Sequence, residues 1–117
     1  MYTPDKWVII ELTPKGGDAI HKVLGSWYGG YATADHWRMN SGIKKITRNG
    51  DYYEFHGYSG SKYFCHEKNT GMSMHTLSIA QDYTIRLREQ GHSFRLLSDK
   101  ELQEYLSSNI ERGALQA

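Results

Sequence analysis

The strongest local constraint in the chain is Asn49-Gly50, set between two segments of strand-like composition, Ile43–Arg48 and Asp51–Gly57. Asn-Gly admits positive φ at both central positions of a two-residue loop, as a type I′ hairpin turn requires. That turn sets a register, with Lys45 opposite Glu54 and Ile46 opposite Tyr53. A second tight turn, Tyr58-Ser59-Gly60-Ser61, leads into a strand over Lys62–His66, with Phe55 facing Phe64. The expectation is a three-stranded antiparallel meander over 43–66.

The rest of the chain supplies partners for it. Lys6–Thr13 carries a β-branched apolar run and reads as a strand buried on both faces. Pro14–Asp18 is a turn, and 19–28 reads as a second strand that ends at Gly29-Gly30. Residues 29–42 fit neither the helical nor the strand period and could be a loop or include a short extended piece; a loop of that length in a small domain is usually functional or disordered, and the rings of Tyr31 and Trp37 argue against disorder. From Met74 to Gln90 the pattern turns helical, with Thr76, Ala80, Tyr83 and Leu87 on one stripe and Gly91 as the stop. Ser93–Leu97 is a short strand. Ser98 and Glu101 then form a capping box that opens a second helix, whose apolar positions are Leu102, Tyr105, Leu106 and Ile110. The expected fold is α+β and a single domain over 1–117. It has one antiparallel sheet of about five or six strands, one long helix packed on that sheet, a C-terminal helix, and a frayed tail at 111–117.

Composition removes several functions. The chain has 117 residues, with 14 Lys+Arg against 13 Asp+Glu. A net charge of +1 does not support a large basic surface for duplex nucleic acid. With Cys65 as the only cysteine, no intrachain disulfide forms, and a reducing cytoplasm is expected. The N-terminus has no basic-then-apolar leader, and no segment approaches the ~20 apolar residues of a membrane span. His56, Cys65 and His66 are the one grouping with metal-ligand chemistry. Cys65 and His66 are adjacent on a strand and point to opposite faces, so no metal and no other cofactor is expected.

Aromatic residues and glycines concentrate in the middle of the chain. Ten of fifteen aromatics lie between Trp27 and Phe64, and eight of twelve glycines between Gly25 and Gly71. Trp27, Tyr28, Trp37 and Tyr58 could stack on a planar group. Arg38 and Lys62 could meet a phosphate, and Asn40, Ser41, Ser59 and Ser61 supply polar groups on permissive backbone. Ser73, His75 and Thr76 stand at the start of the long helix, where free N–H groups favour an anion. These thirteen residues form the expected ligand site, on the assumption that their segments converge.

The strings Ser26-Trp27-Tyr28-Gly29-Gly30-Tyr31, Trp37 with Asn40-Ser41-Gly42-Ile43, Tyr52-Tyr53 with Phe55 and Gly57, Ser59-Gly60-Ser61, Cys65-His66 and Gly71-Met72-Ser73 resemble a group of small accessory proteins of tailed bacteriophages. The resemblance spans roughly residues 5–80 and assigns no catalytic residue. It implies a protein acting in the host bacterial cytoplasm, in a setting where accessory proteins block defence proteins or sequester nucleotide second messengers.

The reading that joins residues and resemblance is a non-enzymatic binder of a small phosphorylated planar ligand, nucleotide-like, working as a homo-oligomer that counters host defence. One alternative is an inhibitor that binds a host defence protein through the same exposed aromatics. Another is a small enzyme acting on nucleotides or nucleic acid with His75 or His36 as base. No Walker A or Gly-x-Gly-x-x-Gly string is present, and no nucleophile–base–orienter constellation is identifiable.

Overall fold

The computed structural model describes residues 1–28 and 36–111. The expected break at Gly29-Gly30, the ring of Tyr31 and the tail from Arg112 lie outside them. The elements are β1 (Lys6–Thr13), β2 (Ile20–Trp27), β3 (His36–Met39), β4 (Ile43–Asn49), β5 (Tyr52–Gly57), β6 (Lys62–His66), α1 (Met74–Glu89), β7 (Ser93–Leu96) and α2 (Asp99–Asn109). The class is α+β, with antiparallel sheets and two helices. The strands do not form the single sheet expected. They divide into a four-stranded sheet ordered β3-β2-β1-β7 and a three-stranded sheet ordered β4-β5-β6.

The division follows from what happens after β3. Asn40 N donates to Val23 O (3.1 Å), and Asn40 Oδ1 accepts from Val23 N (2.9 Å). The side-chain amide thus replaces the next rung of the β2–β3 ladder and ends it. Gly42, at φ +141°, then turns the chain into the second sheet, a conformation a side chain would strain.

The large sheet is buried on both faces, as the apolar run of β1 predicts. One face carries Ile10, Leu24 and Phe94, packed against Ala80 of α1, with Val8, Leu12, Trp37, Met39, Tyr83 and Leu87 around them. The other face carries Trp7, Ile9 and Val23, which meet Ile46, Tyr53, Phe55, Tyr63 and Cys65 of the small sheet and Leu102 and Leu106 of α2. Trp7 lies at the centre, fully buried, with its indole N–H donating to His66 O at 2.7 Å.

Both hairpins of the small sheet differ in register from the expectation. In the first, Ile46 faces Phe55 and Thr47 faces Glu54, so the loop is Gly50-Asp51, with Gly50 at φ +61°. This slip of two residues leaves every side chain on its intended face, so apolar alternation cannot detect it. In the second, Phe55 faces Tyr63 and Phe64 faces Glu54. A three-residue loop, Tyr58–Gly60, closes it through Gly57 N to Ser61 O (2.8 Å). Here the slip is one residue. It turns Phe64 outward and puts Tyr63 in the core.

Each edge of the small sheet is bridged at one point by a segment outside it, Tyr2 at Tyr63 and Ile110 at Ile46. Phe64 N donates to Tyr2 O (2.7 Å), and Glu111 N donates to Ile46 O (2.8 Å), so the chain is still tied at 111. No helix among the described residues is long and apolar enough to cross a membrane.

Cys65 is buried in the inter-sheet core, and burial pushes its thiol far above the usual range. The native protein is expected to resist thiol reagents, reacting only as denaturant unfolds it. Fast labelling without denaturant would contradict this placement.

The α2 capping box forms as the sequence indicates. Ser98 Oγ accepts from Glu101 N, and Glu101 Oε1 accepts from Ser98 N. The same carboxylate takes Arg95 Nη2 at 2.7 Å. The Arg95 guanidinium, then the Ser98 bonds, hold the Glu101 carboxyl at about 2, against an ordinary 4.5. A pKa depressed on folding stabilises the fold above the unfolded value and is lost as pH falls through the folded one. Melting temperature is therefore expected to fall as pH drops from about 4.5 towards 2. Glu101→Gln should flatten that acid limb, as circular dichroism melts would show.

Candidate functional site

Four segments meet where the chain crosses between the sheets. They are Ala19 with the start of β2 (Ile20, His21), Ser41 of the crossover with Ile43 and Lys44 of β4, the β5–β6 loop at Tyr58, and the last turns of α2 (Tyr105, Asn109). Together they wall an open chamber of about 630 Å³. Its size falls in the range of small-molecule sites.

The crossover is fastened to the β5–β6 loop. Ser41 Oγ accepts from Ser59 N (3.1 Å) and lies 3.2 Å from Ser59 Oγ, while Tyr58 N donates to Gly42 O (3.2 Å). Gly42 gives the close approach: a Cβ there would lie 3.1 Å from Tyr58 Cδ2 and 3.2 Å from Ile20 Cγ2. Tyr58 is 68% exposed, a large ring held at the rim with little packing of its own. On the opposite wall Tyr105 stacks on His21, with centroids 4.3 Å apart. Burial pushes the Tyr105 phenol up to about 12, so it stays protonated near neutral pH.

Beyond His21 the wall is an ion-pair chain. His21 Nε2 lies 3.2 Å from Glu11 Oε2, Arg95 Nε donates to Glu11 Oε1 (3.2 Å), and Arg95 reaches on to Glu101. Glu11, His21, Arg95, Glu101, Glu104 and Asn109 help to line a shallower continuation of about 290 Å³. In the other direction, Lys44 is shared with a recess of about 190 Å³ lined by Lys45, His56, Gly57, Gly60 and Ser61. The three hollows adjoin in turn through shared wall residues, from a cationic, hydroxyl-bearing one, past the aromatic-walled chamber, to one rich in carboxylates.

Of the thirteen residues expected to form the site, Ser41, Tyr58, Ser59 and Ser61 are brought together here. Asn40 is buried behind them, 5% exposed and bonded to Val23. Lys62 follows Ser61 onto the outer face of the small sheet. The others do not converge. Trp27 and Trp37 point to opposite faces of the large sheet. Trp27 stacks on His36 (5.3 Å, 4°) and donates through its indole N–H to Thr3 O (3.0 Å), whereas Trp37 packs edge-on to Tyr83 of α1. Arg38 lies over the Tyr2 ring at 4.5 Å, and Tyr28 is exposed, its N–H donating to Asp5 (2.9 Å). Ser73 and Thr76 are buried and spend their hydroxyls on each other (2.9 Å) as the α1 cap, and His75 is exposed beside them. The reason is alternation: Trp27 and Trp37 sit on paired strands at positions of opposite parity, since Trp37 faces Ser26.

His21, Ile20, Ile43, Tyr105 and Asn109 were not expected in a site, because they lie in or beside regular elements. One signal was present. Glu11 and His21 continue the inward rows Trp7-Ile9 and Val23, where further apolar residues would be needed to fill a core.

Cys65 faces the core while His56 and His66 lie on the outer face of the same sheet. Among the described residues no three or more His, Cys, Asp or Glu side chains gather as a metal site. Comparison with protein-family models, curated proteins and solved structures finds no match. The functional reading therefore rests on the geometry of the groove.

Proposed function

We propose that this protein binds a small planar ligand bearing an anionic group, nucleotide-like in outline, in the chamber between Tyr58 and Tyr105. The observation that carries the reading is that this aromatic-walled chamber adjoins a cationic recess, the two sharing Lys44 as a wall. A planar body would stack at the tyrosines, and its acidic group would reach Lys44 and the Ser41–Ser61 hydroxyls. The reading is of binding without turnover. Ser41 is engaged with Ser59, and His21 with Glu11, so neither forms a nucleophile–base pair with the other. In the phage setting that the sequence resemblance implies, such binding would sequester a nucleotide signal.

Thermal-shift measurements against a panel of nucleoside mono- and cyclic phosphates test this. At least one member is expected to raise the melting temperature. Tyr58→Ala should abolish most of that rise while leaving the ligand-free melt nearly unchanged, because the ring is mostly exposed. Loss of one stacking partner is expected to weaken affinity roughly tenfold to a hundredfold. A panel without any shift, or a shift indifferent to Tyr58→Ala, would overturn the assignment.

A further inference from the structure

The outer face of the small sheet reads as a grid of cross-strand neighbours. Its middle row is Thr47–Glu54–Phe64, and the row at the far tip is Asn49–Tyr52–His66. The row beside the β5–β6 loop is Lys45–His56–Lys62. Two lysines thus flank one histidine across three strands, and a negative group lying among them would be attracted by both lysines and by an imidazolium between them. The recess of about 190 Å³ opens at this row, bounded by Lys44, Lys45, His56, Gly57, Gly60 and Ser61.

The hydrogen bonds around His56 leave it ready for an anion. The Glu54 carboxyl is held below its ordinary range, chiefly by the Thr47 hydroxyl, and is therefore an ionised acceptor. Thr47 Oγ1 spends its single proton on Glu54 Oε2 (2.7 Å). His56 Nε2, 3.2 Å from Thr47 Oγ1, must then be the donor to that hydroxyl. This leaves Nδ1 as the ring position still able to take a proton. Burial, then Lys45 and Lys62, disfavour that second proton. Glu54 and Glu111, the latter 3.8 Å from Lys45, only partly oppose them. An incoming dianion would reverse the balance.

We propose that the Lys45–His56–Lys62 row, with Lys44 and Ser61, is a phosphate subsite whose occupation is coupled to protonation of His56. This deepens the binding reading by naming a phosphate ester as the ligand's acidic group, and it rests on that reading only for the rest of the ligand.

The test is titration of the intact protein with inorganic phosphate, followed through the His56 ring by NMR at constant ionic strength, with chloride as the control. Saturable movement of the His56 resonances is expected, with the ring's titration midpoint raised in phosphate but not in chloride. Sulfate, whose charge is constant over the range in which histidine titrates, should raise it too, separating ring protonation from that of phosphate itself. Lys45→Gln and Lys62→Gln, both at exposed positions, should each weaken binding roughly tenfold. A His56 ring indifferent to both oxyanions, an equal response to chloride, or unchanged affinity in the Lys45→Gln/Lys62→Gln double variant would overturn the proposal. Phosphate binding here without nucleotide stacking at Tyr58 would remove the chamber reading alone. Nucleotide binding with a silent His56 would remove only this one.

Discussion

Trp7→Ala is expected to lower the unfolding free energy by about 3–5 kcal/mol, the largest effect of any single truncation in the chain. Trp7 belongs to β1, the strand on which both layers of the core rest. Its ring meets Tyr53 edge-on at 6.0 Å and Phe55 at 5.4 Å, and its indole N–H satisfies His66 O. Its backbone accepts from Gly71 N (2.8 Å) and donates to Asn69 O (3.1 Å), which holds the approach to α1. Truncation therefore opens a cavity between the sheets and leaves a carbonyl unpaired. Domains of this size carry a margin of about 5–15 kcal/mol, so a large part of it would go. Trp7→Phe retains most of the packing and should cost less, about 1–3 kcal/mol, for the orphaned His66 carbonyl. Urea denaturation followed by circular dichroism gives both values. A Trp7→Ala cost no greater than that of Trp27→Ala, at the half-buried rim of the sheet, would contradict the placement of the core.

Gly42→Ala should damage both stability and binding. At φ +141° a side chain is strained by about 1–3 kcal/mol. The added carbon would also press on Tyr58 Cδ2 and Ile20 Cγ2, which belong to two walls of the chamber. Gly50→Ala is the matched control, since Gly50 also has positive φ (+61°) but nothing within 4 Å of its added carbon. Gly50→Ala should affect stability alone. Gly42→Ala should also displace Tyr58 and abolish the ligand-dependent thermal shift. Equal behaviour of the two variants would mean that the crossover does not shape the site.

The local devices were legible because they act within a few residues. The apolar run of β1, the stripe of α1, the Gly91 stop and the Ser98–Glu101 box each carry their own physical cause, and each forms where the sequence places it. What the sequence leaves open is everything that alternation treats as equivalent. Asn49-Gly50 and Gly50-Asp51 give the same faces to the first hairpin. In the second, Tyr53, Phe55, Tyr63 and Phe64 put aromatics on both parities, so either register buries a ring. The split into two sheets depends on the Asn40 amide closing a ladder with Val23, 17 residues away. No periodicity within 29–42 indicates it.

The site divides along the same line. Ser41, Tyr58 and Ser59 stand out because their segments are irregular, and they do line or fasten the chamber. His21 and Tyr105 are hidden inside a strand and a helix, and only the tertiary packing stacks them. Trp27 and Trp37 attract notice for the residue type alone, and strand parity then separates them.

Ligand recognition is proposed to centre on the chamber between Tyr58 and Tyr105. Backbone amide chemical-shift mapping with the panel nucleotide that gives the largest thermal shift locates the site. Saturable shifts are expected, concentrated at Ile20, His21, Ile43, Lys44, Tyr58 and Tyr105 and extending to His56 and Ser61. Shifts confined to the Tyr2–Trp27–Arg38 cluster or to the start of α1, or none at saturating concentration, would contradict it.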